Sequence, residues 1–260
     1  MEEKKTLILG AAGFIGTNLC RRLLEKENGL LLFDRPGACF APFLQKALEQ
    51  NRAQAFYGSF SDLAKEGTDQ EIDALHLWET ETVYHLVSTT CPSNSNRDVA
   101  GEMEENLIAT IRFLDACQKA GVKKVVFLSS GGTVYGREHH GICREEEEAF
   151  PITSYGVQKL AIEKILYLYR EMYGLDYRIV RLSNPYGPWQ RPNGVQGAVT
   201  TFTYRAIKGE PIEVYGDGSV VRDYLYIDDA VRGILQIAQG RGRSRLYKWR
   251  CPPWTGLRSF

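Results

Sequence analysis

Net charge is absent from this chain: 32 Lys and Arg are balanced by 32 Asp and Glu among 260 residues. Such a balance gives no long-range attraction to nucleic acid or to an anionic membrane surface, so neither is expected as a partner. Paired cysteines are missing too. Cys20, Cys39, Cys91, Cys117, Cys143 and Cys251 are scattered, with no Cys-x-x-Cys. That argues against a disulfide framework or a thiolate metal site and for reduced thiols in a cytoplasmic protein. His139 and His140 are adjacent, which suits neither a helical metal pair nor a relay, and no metal is expected. There is no signal peptide and no apolar run long enough to span a membrane. The acidic run Glu145 to Glu148 reads as a solvated loop. This length can bury a large core, in one large domain or two unequal lobes.

What is present begins at the amino-terminal end. Thr6 to Leu9 is a short apolar strand that runs into Gly10-Ala-Ala-Gly13-Phe14-Ile15-Gly16 and then an amphipathic helix. The glycines permit a tight turn and let backbone N–H groups, those of Phe14 and Ile15 among them, approach a pyrophosphate at the positive helix end. A second strand, Leu30 to Phe33, ends in Asp34. Its carboxylate falls where an acidic side chain accepts from a ribose 2′-hydroxyl, which favours NAD over NADP; Arg35 softens that preference. The spacing is Gly-x-x-Gly-x-x-Gly, not the commoner Gly-x-Gly-x-x-Gly. Its flanking strand, helix and acidic residue carry the reading.

The second informative stretch is Tyr155-Gly-Val-Gln-Lys159, which follows the small-residue turn Ser129-Ser130-Gly131-Gly132-Thr133-Val134-Tyr135-Gly136. A tyrosine and a lysine four apart share a helix face. An ammonium beside a phenol favours the phenolate, and bringing its pKa from about 10 to about 7 takes roughly 4 kcal/mol, more than one partner usually supplies. With a cationic nicotinamide nearby the pair becomes a proton acceptor beside a hydride acceptor, which oxidising an alcohol requires. A second pair, Tyr204 and Lys208, has no such turn before it and reads as ordinary helix surface.

Strands and helices alternate along the first two-thirds. Helix is expected over 43–51, 99–120 and after Pro151, and strand over 54–57, 82–87, 124–128 and 177–182. This pattern predicts an α/β fold, a Rossmann-like doubly wound parallel sheet with a smaller substrate lobe. Residues at the carboxyl ends of the strands should form the crevice: Gly10, Asp34, Val87-Ser88-Thr89, Ser129-Ser130-Gly131 and Asn184.

With these residues together, the chain resembles the extended short-chain dehydrogenase/reductases, the NAD-dependent epimerase/dehydratase family, most closely its UDP-glucose 4-epimerase branch. The resemblance covers roughly residues 4 to 240. It rests on the Gly10 loop, Thr133-Val-Tyr-Gly136, Tyr155-x-x-x-Lys159, Arg181-Leu-Ser-Asn-Pro-Tyr-Gly187 and Arg222-Asp-Tyr-Leu-Tyr-Ile-Asp-Asp229. It implies an NAD-dependent enzyme acting on a nucleotide sugar, a UDP-hexose, and a homodimer formed through the 99–120 and 155–174 helices. It also implies roles. Tyr155 takes the sugar proton, and Lys159 binds the nicotinamide ribose. Leu86, Val87, Ser88, Asn106 and Ser129 serve the cofactor side. Thr89, Asn184, Arg222 and Tyr215 serve the substrate, Arg222 on a phosphate and Tyr215 against the uracil.

Three departures stand out. The family usually has a catalytic Ser or Thr where this chain has Gly131, leaving Thr133 or Ser130 to supply the hydroxyl. The Gly-Asp that often holds adenine is here Gly58-Ser59, with Asp62 shifted. After Gly240 the sequence becomes basic and tryptophan-containing. The family's Tyr-Asn strand is expected to begin at Tyr247-Lys248 and then be lost, as in a truncated or frame-shifted gene. The expected organisation is therefore 1–182 for NAD, 183–240 as a partial sugar lobe interleaved with it, and 241–260 as an atypical tail. C4 epimerisation is the expected activity. A non-turning-over NAD-binding protein, a dehydratase, a reductase or a decarboxylase stays open, the dehydratase weakened because Gly131-Gly132-Thr133 replaces that group's Thr-Asp-Glu.

Overall fold

A computed structural model describes residues 5–136, 143–192, 197–214, 216–218, 220–240 and 245–250. Seven parallel strands form one sheet in the order β3-β2-β1-β4-β5-β6-β9. They are β1 (Lys5–Leu9), β2 (Leu30–Asp34), β3 (Ala53–Tyr57), β4 (Thr80–His85), β5 (Lys124–Ser130), β6 (Asp176–Leu182) and β9 (Leu246–Trp249). Successive side chains of a strand point to opposite faces, and the core divides accordingly. Leu7, Leu9, Leu31, Phe33, Val83, Val125, Phe127 and Ile179 face one helical layer. That layer is α3 (Phe60–Glu66), α4 (Thr68–Ala74), α6 (Ala109–Ala120) and α7 (Ser154–Tyr173). Ile8, Leu30, Leu32, Tyr84, Val126, Leu128 and Val180 face the other, made by α1 (Phe14–Leu23), α2 (Pro42–Glu49) and α9 (Ile227–Gln239). Both faces are covered, as an all-parallel sheet requires.

Expected and observed elements differ in three instructive places. The strand expected over 82–87 spans Thr80–His85, so Leu86, Val87 and Ser88 already belong to the loop at its carboxyl end. The helix expected over 99–120 is three pieces: α5 (Val99–Met103), a π-helical turn at Glu104–Ile108 and α6. Two side-chain bonds enter the ladder there, Asn106 Nδ2 to Glu102 O at 2.9 Å and Thr110 Oγ1 to Asn106 O at 2.6 Å. Side chains inserted in this way are a known cause of such turns, which recur at functional sites. Finally, part of the stretch read as an atypical tail is sheet: β9 lies along β6 with Leu246 opposite Ile179 and Trp249 opposite Leu182. His139, His140, Tyr215 and Cys251 lie outside the described residues.

A separate parallel pair is formed by β7 (Asn184–Tyr186) and β8 (Tyr224–Tyr226), with α8 (Ala198–Lys208) between them in sequence. Ser183 alone separates β6 from β7, and α9 begins at the residue after β8. Helix α9 buries Ile227, Ala230, Val231, Ile234, Ile237 and Ala238, the spacing of one apolar face. Among the described residues no helix is long and apolar enough to cross a membrane.

Candidate active site

The glycine loop is shaped by the approach of α1 to β1. Gly10 has φ +86°, and its N–H donates to Phe33 O at 2.8 Å. A Cβ on Gly16 would lie 2.1 Å from Gly10 O and 2.8 Å from Ala11 Cα, so no side chain fits there without moving backbone. Gly13 is the N-cap of α1, and no side chain caps that helix start. The amides of the first turn therefore remain available to an anion. At the end of β2, Asp34 accepts from Ala12 N and from Arg35 N, each at 2.8 Å. The Gly loop and Asp34 are thus tied together beside the point where the strand order reverses between β1 and β4, the usual ligand crevice of such sheets. Arg35 is exposed. Ser59 caps α3, its hydroxyl accepting from Asp62 N at 3.3 Å.

On the other side of β1, buried Asn106 holds the loop after β4. Its Oδ1 accepts from Thr89 N at 2.9 Å and its Nδ2 donates to Thr89 Oγ1 at 2.8 Å. Lys159 on α7 is buried, and its Nζ donates to Leu128 O at 3.0 Å, 5.6 Å from the centre of the Tyr155 ring. The sequence predicts a phenol made more acidic by this lysine. The structure differs: burial pushes Tyr155 up to about 12, and the nearby Cys91 thiol adds to the rise. Burial likewise brings Lys159 down to about 8, opposed by the Glu163 carboxylate. In this state the ammonium serves the Leu128 carbonyl.

The small-residue turn touches the start of α7. A Cβ on Gly156 would come within 2.9 Å of Thr133 O, so the turn sits against the residue next to Tyr155. Within it, Ser130 Oγ donates to Thr133 Oγ1 at 3.1 Å and accepts from Thr133 N at 3.1 Å. Gly131 has no room for a side chain, since its Cβ would lie 2.8 Å from Leu182 O.

Beneath these groups lies a buried polar network that the sequence reading passed over. Arg181 pairs with Glu163 through two bonds, Nε to Oε1 at 3.0 Å and Nη2 to Oε2 at 2.6 Å. Arg181 also donates to Tyr135 Oη at 2.9 Å, and Ser129 Oγ donates to Glu163 Oε1 at 2.5 Å. The one available signal was spacing: Glu163 falls one helical turn after Lys159. On the β7–β8 pair, Asn184 Nδ2 donates to Asp223 O at 3.0 Å, beside Arg222. Both Asn184 and Arg222 are exposed. Among the described residues, no group of three or more His, Cys, Asp or Glu could hold a metal.

A glycine-loop crevice with a Tyr-x-x-x-Lys helix across it defines a dinucleotide-dependent enzyme class, and comparison with known proteins agrees. Residues 6–247 match the NAD dependent epimerase/dehydratase family, and the chain belongs to it; the match ends inside β9. The chain is 34% identical over 232 residues to a UDP-glucose 4-epimerase of Mycolicibacterium smegmatis, covering 89% of this chain and 72% of that one. Among solved structures it is similar to UDP-glucose 4-epimerase from Thermotoga maritima with UDP-glucose. The TM-score there is 0.83 at 32% identity, covering 95% of this chain and 76% of the other. It is also similar to the Thermus thermophilus UDP-glucose 4-epimerase complex with NAD, at TM-score 0.79 and 29% identity, covering 94% and 76%.

Proposed function

We propose that this chain catalyses reversible inversion at C4 of a UDP-hexose. The observation that carries the proposal is the pairing of Tyr155 with a buried Lys159 fixed to the end of β5. The residues present fit NAD: an anion-ready α1 terminus, a loop that only glycine can form at Gly16, and Asp34 placed for a ribose diol. Gly10, Gly13, Phe14, Ile15 and Gly16 would cradle the pyrophosphate, and Leu86, Val87, Ser88, Asn106 and Ser129 would line the nicotinamide side. Bound NAD supplies a hydride acceptor and donor at C4. Tyr155, as a phenolate stabilised by the Lys159 ammonium, would take the 4-hydroxyl proton and become the neutral phenol, while Lys159 also orients the cofactor ribose. The 4-keto sugar then turns its other face to the cofactor, hydride would return to C4 on that face, and Tyr155 would give the proton back to the C4 oxygen. Thr89, Asn184 and Arg222 would hold the sugar diphosphate, Arg222 as a fork on phosphate.

The hydroxyl partner for the sugar is assigned to the Ser130–Thr133 pair, because a side chain at 131 would collide with β6. Gly131→Ser is therefore expected to lower stability by about 1–3 kcal/mol without raising turnover. A thermal melt and a rate assay check this, and a variant faster than its parent would refute the assignment.

The exposed Tyr167, Leu168, Met172 and Tyr173 of α7 support a homodimer through α5–α6 and α7, and the unpaired cysteines suit a cytoplasmic setting. A second reading, NAD binding without turnover, is favoured by the exposure of both Asn184 and Arg222, which leaves the phosphate side open. Proton NMR of UDP-glucose and UDP-N-acetylglucosamine incubated with the protein and NAD tests both. Formation of the galacto epimer is the expected result. Unchanged sugars, with NAD bound in the same sample, would overturn it in favour of the second reading.

A further inference from the structure

The loop between β4 and α5, residues 86–98, is fastened to the start of α7 by a polar contact that no step above employs. Ser154, buried and immediately before Tyr155, has its N–H donating to Asn96 Oδ1 at 2.6 Å. In return Asn96 N donates to Ser154 Oγ at 3.2 Å, so the two residues are joined reciprocally. The Ser154 hydroxyl donates to Glu102 Oε2 on α5. The same carboxylate accepts from Asn96 N at 3.4 Å and from Arg97 N at 3.2 Å. Asn96 adopts φ +75°, a left-handed conformation uncommon outside glycine that persists where surrounding contacts determine it.

Helix α7 does not need this contact in order to begin. Thr153 already caps it, accepting from Gly156 N at 3.1 Å. The Ser154 hydroxyl is thus free to serve the loop, and the loop carries Thr89, Thr90 and Cys91 to the face where Tyr155 lies. A further tie runs from Thr90 Oγ1 to Gln158 Oε1 at 3.4 Å, one turn along α7. Glu102 also holds Asn106 through its carbonyl, so a single α5 residue touches both the loop anchor and the helix bearing the base.

We propose that Asn96, Glu102 and Ser154 form a clamp that positions Tyr155 in the crevice. This rests on the reading of Tyr155 as the proton acceptor. The three are positioning residues, acting through Tyr155 and not on the substrate. Loosening the clamp leaves NAD and sugar binding in place but lets the phenol drift from its reactive geometry.

The test compares wild type with Ser154→Ala and Asn96→Gly as NAD-loaded proteins; glycine at 96 keeps the left-handed backbone and removes only the side-chain acceptor. Two readouts are needed, kcat against KM for UDP-glucose and the Tyr155 signal in proteins labelled at the tyrosine 13Cζ, assigned by its loss in Tyr155→Phe. Expected for both variants is a kcat lower by about 10-fold to 100-fold with KM within about twofold, together with a displaced or split Tyr155 signal. An unmoved Tyr155 signal overturns the clamp, whether kcat is unchanged or falls along with general stability. If wild type itself turns over no sugar, the proposed activity fails. The Tyr155 signal still decides the clamp, because it needs no turnover.

Discussion

Tyr155→Phe is expected to lower epimerisation by about 10²–10⁴-fold, the usual contribution of a positioned acid–base group, while the protein stays folded and binds NAD. Phenylalanine keeps the ring beside the Lys159 ammonium and removes only the hydroxyl. Burial raises that hydroxyl's pKa to about 12, whereas an unfolded tyrosine ionises near ~10. The folded state therefore holds its proton longer. The stability this provides is complete below about 10 and is lost as pH rises through the folded value. Wild type should thus lose stability relative to Tyr155→Phe between those limits, and the two should melt in parallel at neutral pH. Retention of turnover within a few-fold of wild type would remove Tyr155 from the mechanism. Loss of NAD binding along with turnover would instead make it a cofactor residue.

The second large effect is on stability. Arg181→Met is expected to cost about 3–5 kcal/mol, because it leaves the Glu163 carboxylate buried without its cation. Both side chains are only 4% exposed, and the guanidinium engages both carboxylate oxygens, so water cannot take its place. Glu163 keeps the Ser129 hydroxyl and the more distant Lys159 ammonium, and Tyr135 loses the Arg181 donor. In a chain of this size the loss corresponds to a fall in melting temperature of roughly 10 °C. The double substitution Arg181→Met with Glu163→Met should recover much of it, since no charge is then stranded. Thermal or urea unfolding checks both. A single-variant loss under about 1 kcal/mol would mean that the pair is solvated.

What could be read in advance divides along physical lines. Leu30 to Asp34 and Lys124 to Leu128 are apolar runs bounded by turn signals, so the strands and their parallel arrangement were legible, though not their order in the sheet. The glycine loop was legible because its constraint is local: strand, turn and helix are adjacent in sequence. Tyr155 and Lys159 were legible through helical spacing, but their ionisation was not. Both shifts are governed first by burial, which only the packed fold shows, with Cys91 raising Tyr155 further and Glu163 opposing the fall of Lys159. Glu163, Glu102 and Ser154 look like surface residues in a linear reading, and only packing shows them buried. The π-turn at Asn106 arises from side chains bonding into the helix ladder, which leaves no periodic trace. Strand β9 was legible only through the resemblance, which puts a strand start at Tyr247-Lys248, because Lys248 interrupts the apolar pattern by which a strand is read.

The β7–β8 pair has no slack at either tether. One residue joins it to β6, and α9 follows it directly, pinned to α1 through Arg21 and Asp228. Such a unit cannot swing as a body on a hinge, because any rotation would have to drag the end of a central strand or lever α9 off the sheet. Enclosure of the proposed substrate must then come from the connections that leave the pair's free ends, in their described parts 187–192 and 209–214. Small-angle scattering should accordingly give the same radius of gyration with and without nucleotide sugar, while hydrogen exchange slows in those two connections alone.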